Sequence, residues 1–359
     1  MNRVDTPIRI GKFSLKNRIT YAPTVKFDFT DDSALATQKH IDHYIERAKG
    51  GVGLICVEAT AVTPDGRFGR NHMGLWDDAM IEGHKKIVDG CHEYGTIMII
   101  QLNHTGYVSN PELGEHIGPS EIEMDGYRGK YTTKAMSIDE IHAMQKAFVD
   151  AAVRAKKAGY DGVQLHACHG YMINQFVSQK NLRTDEYGGS TENRARFATE
   201  IIKEIKAQCG EDFLVSARTT GCEPTVEEAI AIAEEYIKAG CDYLQVSHGM
   251  SSLDELPDLA EAPYDKLETL GVRFKKYFGD RIQVSAVGSM NTPDKVKAYI
   301  EGGLTDTVDV SRQILADPEF PNAVINGTPY VKCFCCKACQ YGPFTAHKCP
   351  AEIIRNKAK

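Results

Sequence analysis

The sequence lacks a long apolar run, and it lacks an excess of positive charge. No stretch of the 359 residues reaches the roughly 18 consecutive apolar residues that a helix needs to cross a bilayer, and the N-terminal stretch has no continuous apolar core of the kind found in secretion signals. Lys and Arg number 42 against 49 Asp and Glu, so the formal net charge is −7 and no basic surface for nucleic acid or an anionic membrane is expected. We therefore expect a cytoplasmic protein that binds a small-molecule substrate and neither nucleic acid nor membrane.

Tryptophan and low-complexity sequence are scarce as well. The single tryptophan, Trp76, is expected to be a packing residue, and no linker tract divides the chain. Hydrophobic residues make up 42% and charged residues 25% of the chain, which is the composition of a folded protein with a large core. Length alone permits two domains, so the choice depends on the order of the predicted elements.

One unit repeats along the chain: a helical stretch, a turn that contains Gly, and a short apolar run. The runs are too short and too apolar for solvent-facing antiparallel strands, and they are typical of parallel strands buried on both faces. Eight such units favour a closed (β/α)₈ TIM barrel over residues 1–330, followed by a Cys-rich extension, residues 331–359, packed on the barrel. The predicted strands are Arg18–Ala22, Val52–Val57, Ile97–Leu102, Gly162–Leu165, Leu214–Ala217, Tyr243–Val246, Gln283–Val287 and Val308–Val310.

Helix boundaries are marked by capping residues. Ser137-x-x-Glu140 and Thr225-x-x-Glu228 have the spacing of capping boxes, and Thr292-Pro293 supplies an N-cap followed by a first-turn proline. Glycines that suit a left-handed residue after a helix are Gly159, Gly240 and Gly302.

The segment from Tyr107 to Lys134 interrupts the repeat. It is long, rich in Gly and Glu and poor in periodic apolar residues. Because it follows the third predicted strand directly, it starts on the catalytic face of a barrel, and we predict that it forms a lid over the substrate. A surface excursion without function is the alternative.

Three side chains with acid–base chemistry follow the fourth predicted strand. His166, His169 and Tyr171 leave one strand end within six positions, where TIM barrels place functional residues. Two imidazoles can donate to one carbonyl oxygen and stabilise negative charge on it, and the phenol can deliver a proton to the neighbouring carbon. A zinc site is a rival interpretation, but the histidines are not four residues apart on a helix and no third ligand is obvious nearby. Two histidines that merely hydrogen-bond within a turn are the third alternative.

Several separate motifs in the same order resemble the Old Yellow Enzyme family of flavin-dependent ene-reductases. The resemblance covers nearly the whole chain, and its longest part is HACHGYMINQFVSQKNLRTDEYGGSTENRAR. The matching ranges are Leu15–Ile19 with Ala22-Pro23, Glu58–Val62, Gln101–Gly106, His166–Arg196, Ala286–Gly288, and Ser311-Arg312 before Leu315–Pro318.

The resemblance implies FMN as the cofactor, with its ring across the barrel mouth. Pro23, Thr24 and Ala59 would line the edge of the isoalloxazine ring, and Gln101 would hydrogen-bond to its pyrimidine side. Arg218 follows the apolar strand Leu214–Ala217, and a buried cation there would stabilise negative charge at the N1–O2 edge of the reduced flavin.

The phosphate of FMN would lie where the seventh and eighth strands end. Backbone amides of Gly288, Ser289 and Ser311 and the guanidinium of Arg312 would hold it, as in other barrels that bind phosphate. Val25 departs from the family, which commonly places Thr or Cys near the flavin O4. Valine donates no hydrogen bond, which leaves the flavin potential and the branch of the family open.

The activity that the resemblance implies is reduction of an activated carbon–carbon double bond. NADH or NADPH would reduce FMN, and an α,β-unsaturated carbonyl or acyl compound would then take its place and receive the hydride. His166 and His169 would hold the carbonyl, and Tyr171 would protonate the α-carbon. A barrel aldolase or isomerase would need a Lys or a carboxylate at a strand end, and none is as well placed as the His–His–Tyr group.

Five of the 11 cysteines lie between positions 333 and 349. Cys333, Cys336, Cys339 and Cys349 give C-x₂-C-x₂-C followed by Cys-Pro, a spacing suited to an iron–sulfur cluster, and the segment resembles that of the dienoyl-CoA-reductase branch of the family. A [4Fe–4S] cluster, a structural zinc with His347 and free thiols all remain open.

Those longer relatives carry further electron-transfer domains after the cluster, whereas this chain ends at Lys359. An alternative function is therefore an electron-transfer subunit, with FMN and an iron–sulfur cluster, that needs a separate reductase. The sequence leaves the number of subunits open, with a homo-oligomer among the arrangements it allows.

Overall fold

Eight parallel strands form a closed barrel. The computed structural model describes residues 3–126, 129–250, 265–337, 339–341 and 349–357. The strands are β1 Ile8–Ile10, β2 Phe13–Leu15, β3 Ile19–Tyr21, β4 Leu54–Ala61, β5 Ile97–Asn103, β6 Ile117–Gly118, β7 Glu123–Gly126, β8 Gly129–Thr132, β9 Lys134–Ala135, β10 Gly162–Ala167, β11 Leu214–Thr220, β12 Tyr243–Ser247, β13 Gln283–Val287 and β14 Thr307–Val310. The helices are α1 Gln38–Lys49, α2 Ile81–His92, α3 Ile138–Lys157, α4 Met172–Val177, α5 Thr191–Cys209, α6 Val226–Lys238, α7 Lys266–Phe278, α8 Pro293–Glu301, α9 Arg312–Ala316, α10 Phe320–Asn326 and α11 Pro350–Lys357.

The order around the barrel is β3, β4, β5, β10, β11, β12, β13 and β14, and β14 pairs with β3 to close it. All eight strand pairs are parallel, and each predicted apolar run coincides with one of these strands. The predicted TIM barrel is therefore confirmed. Burial of the strands on both faces is the physical reason that the apolar runs predicted them well.

Two details of helix capping differ from the sequence prediction. Ser137 and Glu140 form the predicted capping box, whereas Thr225 accepts from the backbone N–H of Glu228 but the Glu228 carboxylate binds Arg194 instead. Gly159 and Gly240 have positive φ as predicted, but Gly302 has φ −76° and the next residue, Gly303, takes the left-handed conformation at φ +70°.

The N-terminal end of the barrel is closed by the antiparallel hairpin of β1 and β2. Ile10 and Leu15 of this hairpin are fully buried and pack with Leu54, Ile99 and Leu214 from the barrel strands. Since this apolar cluster fills the N-terminal end, the C-terminal ends of the strands are the place for a ligand in the barrel.

The excursion after β5 is built from two small strand pairs, β6 with β9 and β7 with β8. The backbone N–H of Ser120 donates to the Tyr107 hydroxyl at 2.9 Å, and the Tyr131 hydroxyl donates to the Tyr107 carbonyl at 2.9 Å. The excursion is thus tied to the catalytic end of β5. Its function as a lid stays a prediction.

The described part of residues 331–359 contacts helices α9 and α1. Gln313 holds the backbone of the extension on both sides, since its amide donates to the Val331 carbonyl at 2.9 Å and accepts from the N–H of Cys333 at 2.8 Å. Arg355 lies 3.3 Å from a carboxylate oxygen of Glu46. The boundary between a barrel and an extension at residue 330 stays a prediction.

Among the helices in the described ranges, none is both long enough and apolar enough to cross a membrane.

Candidate active site

His166 and His169 converge at the C-terminal end of β10. His166 is the penultimate residue of the strand, and a left-handed backbone at His169, with φ +61°, turns the second imidazole back toward the first. Nε2 of His166 and Nδ1 of His169 lie 2.9 Å apart, so the two rings hydrogen-bond to each other. A carbonyl oxygen that replaced this bond would meet both nitrogens.

The hydrogen bond between the two rings uses a proton on one converging nitrogen and a bare acceptor on the other. Ser247 lies 2.7 Å from Nε2 of His169, and when its hydroxyl donates there the ring proton of His169 stays on Nδ1 and is donated to Nε2 of His166. Nδ1 of His166 is buried without a partner in the described ranges, and a change of tautomer that moved its proton to Nε2 would let both rings donate to a carbonyl oxygen. Burial holds the pKa of each imidazole well below its ordinary value, so both rings are neutral at pH 7.

Tyr171 lies beside the imidazole pair as a protonated phenol. Its ring centroid is 4.7 Å from that of His166, and it occupies the N-cap position of α4. Burial raises the pKa of Tyr171 to about 12. The hydroxyl therefore carries its proton at neutral pH and can donate it.

Cys168 is a third possible metal ligand beside the two histidines, although the sequence suggested that none was nearby. In the described ranges, His166, Cys168 and His169 are the one group of three or more His, Cys, Asp or Glu side chains whose ligand atoms lie within 4.8 Å of one another. Burial raises the pKa of Cys168 to about 12, however, and a zinc ligand must be a thiolate. The zinc interpretation stays unfavourable for this reason.

Arg218 is a buried cation on the neighbouring strand. It pairs in register with His166, its exposure is 8%, and its Nε has no hydrogen-bond partner in the part of the chain that the structure describes. The charge of Arg218 acts on the buried carboxylate of Asp309, but within the described ranges no carboxylate forms an ion pair with it. Because a buried cation without an ion pair is costly, Arg218 would be stabilised by a bound anion.

The residues predicted to contact the flavin ring lie around the same barrel mouth. Pro23, Thr24 and Val25 follow β3 and are half-buried, while Ala59 and Gln101 are buried on β4 and β5. The Thr24 hydroxyl is 2.8 Å from that of Ser311, which brings the end of the first barrel strand next to the end of the last one.

The predicted phosphate residues line one cavity of about 300 Å³. Gly288, Ser289, Ser311 and Arg312 are all part of its wall, and so are Cys333 and Cys335. One predicted donor is occupied, because the backbone N–H of Ser289 donates to the carboxylate of Glu268 at 3.1 Å.

Two groups of site residues escaped the sequence analysis. Phe27 and Phe68 lie beside the catalytic group, with the Phe68 ring 5.1 Å from Tyr171 and 6.2 Å from Phe27. They lie on loops after β3 and β4, so their position just after a strand end could have identified them as site residues. The position of Ser247 at the end of β12 could have identified it in the same way.

The second group that the sequence analysis missed is a layer of polar side chains inside the barrel.

The four predicted metal ligands do not form a preformed zinc site. Tetrahedral Zn²⁺ with Zn–S bonds of about 2.3 Å brings its sulfurs to about 3.8 Å from one another. No three of Cys333, Cys336, Cys339 and Cys349 lie within 4.8 Å of one another. His347, the predicted histidine ligand, lies outside the described residues.

The sequence matches the model of the NADH:flavin oxidoreductase / NADH oxidase family over residues 4–330. It is 35% identical to the NADPH dehydrogenase of Bacillus subtilis (strain 168) over 88% of this chain and 92% of that protein. It is also 35% identical to the NADH oxidase of Thermoanaerobacter brockii, over 91% of this chain and 52% of that protein.

Solved structures give the same assignment. A 2-naphthoyl-CoA reductase in complex with 2-naphthoyl-CoA superposes with a TM-score of 0.87 at 30% identity, covering 96% of this chain and 56% of that one. The old yellow enzyme homologue from Zymomonas mobilis superposes with a TM-score of 0.78 at 26% identity, covering 93% and 95%. This chain thus spans about half the length of the T. brockii enzyme and of the naphthoyl-CoA reductase. From the family match and these similarities we conclude that the chain belongs to the NADH:flavin oxidoreductase / NADH oxidase family of FMN-dependent oxidoreductases.

Proposed function

We propose that the protein reduces the activated double bond of α,β-unsaturated carbonyl or acyl compounds with electrons from NADH or NADPH. The observation that carries the proposal is the pair of imidazole nitrogens 2.9 Å apart with a protonated phenol beside them. This group can polarise a carbonyl and protonate the carbon next to it.

The barrel mouth offers a fitting site for FMN. The buried cation of Arg218 would neutralise the electron-rich N1–O2 edge of the ring, and Gln101 would bind the pyrimidine. Arg312 and the amides of Gly288 and Ser311 would bind the phosphate in the cavity that they share. When bound, FMN supplies the two-electron chemistry, accepting electrons from the nicotinamide and passing them to the β-carbon of the substrate.

The chain's own residues act on the carbonyl and the proton. His166 and His169 would each donate to the carbonyl oxygen, in place of the bond they make to each other. Since both rings are neutral, they stabilise the developing enolate by hydrogen bonds without giving up a proton. Tyr171 would deliver its proton to the α-carbon.

The acyl thioester class is supported by one relative. The naphthoyl-CoA reductase structure contains 2-naphthoyl-CoA, a conjugated aromatic acyl thioester, and its barrel is similar to this one. Phe27, Phe68 and Tyr171 present aromatic rings on one side of the catalytic group, which suits a flat conjugated substrate. We therefore include conjugated acyl thioesters among the substrates to be tested.

The test is enone turnover by a protein in which His166 and His169 are both changed to Ala. Removing one such donor costs about 10² to 10³ in rate, so turnover should fall at least a hundredfold while FMN stays bound. His92→Ala is the matched control, because His92 is an exposed histidine paired with Asp161 at the far end of the barrel. Unchanged turnover in the double variant would refute the assignment.

We also propose that Cys333, Cys336, Cys339 and Cys349 hold a [4Fe–4S] cluster. Their spacing suits it, and it is supported by the absence of any three of these four sulfurs within 4.8 Å of one another, since a cluster holds its thiolates farther apart around a cube of iron and sulfide than a zinc ion does. The cavity that Cys333 shares with the predicted phosphate residues would bring such a cluster near the FMN.

Buried cations next to the extension would suit an anionic group there. Burial lowers the pKa of Lys26 to about 7, Glu58 opposes that shift, and so would a negative charge on Cys339. Arg47 is 1% exposed and pairs with Glu46 through Nη1 at 3.1 Å, while its Nε and Nη2 have no hydrogen-bond partner in the described ranges. These unsatisfied N–H groups would suit the negative charge of a cluster with four thiolates.

Iron and acid-labile sulfide in anaerobically purified protein test the cluster. We expect about four of each per chain, lost in Cys336→Ser and retained in Cys335→Ser, which changes the fifth, non-ligand cysteine of the segment. Stoichiometric zinc, or neither metal, would contradict the proposal.

An electron-transfer subunit is the second candidate, favoured by the proximity of Cys333 to the predicted phosphate residues. Oxidation of NADH or NADPH by the isolated chain distinguishes the two. A chain that needs a separate reductase does not consume either nucleotide alone.

A further inference from the structure

The barrel interior contains a layer of polar side chains where TIM barrels usually have branched apolar ones. Alternate strands contribute four side chains to each layer. Here β4, β10, β12 and β14 contribute Cys56, Gln164, Gln245 and Asp309, and each is 1% exposed or less. All four side chains form hydrogen bonds in the centre of the barrel, the Cys56 thiol by donating to the carbonyl oxygen of Gln164 at 3.4 Å.

These side chains form a continuous chain of hydrogen bonds that ends at a predicted flavin residue. Gln245 donates to Asp309 at 2.8 Å, Gln164 donates to Gln245 at 2.6 Å, and Gln101 donates to Gln164 at 2.8 Å. The chain thus crosses the interior from β14 to β5.

The carboxylate at one end fixes the direction of every bond. An ionised Asp309 can only accept, so Gln245 must present its NH₂ group to it and its carbonyl to Gln164. Gln164 must then donate its NH₂ group to the carbonyl of Gln245, and Gln101 must donate its NH₂ group to the carbonyl of Gln164. In the described ranges no group donates to the carbonyl oxygen of Gln101, which remains free as an acceptor.

We propose that Asp309 is a positioning residue that orients the Gln101 amide through Gln245 and Gln164, so that Gln101 offers an acceptor to the pyrimidine N–H of FMN. The inference rests on the proposed contact between Gln101 and the flavin. With the opposite orientation, the NH₂ group of Gln101 would face an N–H of the ring, and a hydrogen bond would be replaced by a repulsion.

The position of Asp309 supports a role beyond packing. The carboxylate is 1% exposed, it accepts from the Thr20 hydroxyl, and one of its oxygens has no hydrogen-bond partner among the described residues. Burial raises its pKa to about 6, and the nearby charge of Arg218 opposes that shift. A buried, partly unsatisfied carboxylate destabilises the barrel unless it serves another group.

The experiment measures the dissociation constant of FMN from apoprotein by quenching of flavin fluorescence. Asp309→Asn can donate as well as accept, so it removes the constraint on direction, and Gln245→Met breaks the chain without changing the charge. Each should weaken FMN binding about three- to tenfold, as expected for loss of one hydrogen bond. In a Gln101→Ala background neither should have a further effect, because the amide to be oriented is gone.

Tyr160→Phe is the matched control. Tyr160 lies just before β10, which carries Gln164, is buried and loses one buried hydrogen bond, to His84 at 3.0 Å, but it is not part of the chain of amides. Its FMN affinity should equal that of the wild type. The charge change in Asp309→Asn cannot imitate the expected result, since removing an anion near Arg218 favours an electron-rich ligand and so strengthens binding.

Two outcomes overturn the proposal in distinguishable ways. If Gln101→Ala binds FMN as tightly as the wild type, the flavin contact of Gln101 in the proposed function is wrong, and the orientation has no purpose. If Gln101→Ala weakens binding but Asp309→Asn and Gln245→Met do not, the contact stands and the positioning role of Asp309 is wrong. A shift of the oxidised flavin spectrum in both chain variants, absent from Tyr160→Phe, is the expected second readout.

Discussion

Arg218 and His166 are buried side chains, in register on neighbouring strands, each with one polar atom that has no hydrogen-bond partner in the described part of the chain. Folding alone does not favour such residues, because burial without partners costs free energy. A ligand that supplies negative charge near Arg218 removes the cost of burying that cation.

Arg218→Met should therefore have opposite effects on the apoprotein and the holoprotein. Without FMN, loss of an unpaired buried cation should leave the free energy of unfolding unchanged or raise it by about 1 kcal/mol. With FMN, binding should weaken and the flavin should become harder to reduce. Thermal unfolding with and without FMN checks this, and destabilisation of the apoprotein would show that Arg218 has a structural partner instead.

Tyr171→Phe should separate the two half-reactions. The phenol, with its pKa raised to about 12, holds a proton that Phe lacks, so oxidation of the reduced enzyme by an enone should slow by about a hundredfold or more. Reduction by NADPH should keep its rate, because it uses no proton from Tyr171. Equal slowing of both steps in stopped-flow measurements would exclude the role of proton donor.

Hydrogen bonds within the loop after β4 position Phe68, and no motif in the sequence of the loop predicted that position. Arg67 donates to the Pro64 carbonyl at 2.9 Å and to both the carbonyl and the carboxylate of Asp32. These bonds hold the loop so that Phe68 faces Tyr171.

Phe68→Ala should lower kcat/KM about two- to tenfold more for a phenyl-substituted enone than for a small cyclic enone, since an aromatic pair contributes about 0.5–1.5 kcal/mol. Steady-state kinetics with the two substrates provides the measurement. An equal decrease for both would mean that Phe68 only supports the fold of the loop.

Elements that depend on local pattern were predictable, and contacts between distant elements were not. The eight barrel strands followed from short apolar runs, because parallel strands are buried on both faces. The capping box at Thr225 failed because Arg194, on another helix, captures the Glu228 carboxylate. The polar layer inside the barrel was not predicted either. Gln164 and Gln245 interrupt apolar runs, but the sequence does not show which side chains of other strands they contact.

The same limit applies to the candidate site. Strand-end positions brought His166, His169 and Tyr171 together correctly as a cluster, while the resemblance supplied the flavin contacts. Nothing in the sequence showed that the Ser289 amide would be used by Glu268. This hydrogen bond depends on the packing of α7 against β13, which no local sequence motif predicts.

At the scale of the whole molecule, buried histidines should govern stability in acid. Burial lowers the pKa of His40 to about 3 and those of His72 and His84 to about 4, and it also lowers those of His43, His166 and His169. Below about pH 6.5 the unfolded chain binds protons that the folded chain does not, so the free energy of unfolding should fall as the pH decreases from about 6.5 to about 4.

Two carboxyl groups act in the opposite direction. Burial raises the pKa of Glu58 and of Asp309 to about 6, so the folded chain binds their protons first and gains stability as the pH falls through that value. Six histidines outweigh two carboxyl groups, and the urea midpoint should be lower at about pH 5 than at about pH 7.5. A higher midpoint at the lower pH would contradict the neutral state of the histidines.

The most direct test of the account is reoxidation of the reduced holoprotein by an enone in the absence of oxygen. After reduction by one equivalent of NADPH, addition of the enone should restore the absorption band of oxidised flavin and yield one equivalent of the saturated ketone. The variant with both His166 and His169 changed to Ala should hold its flavin, stay reduced with the enone and reoxidise in air. Recovery of the band at the same rate in that variant, or no recovery in the wild type, would contradict the proposal that the two imidazoles activate the substrate above the flavin.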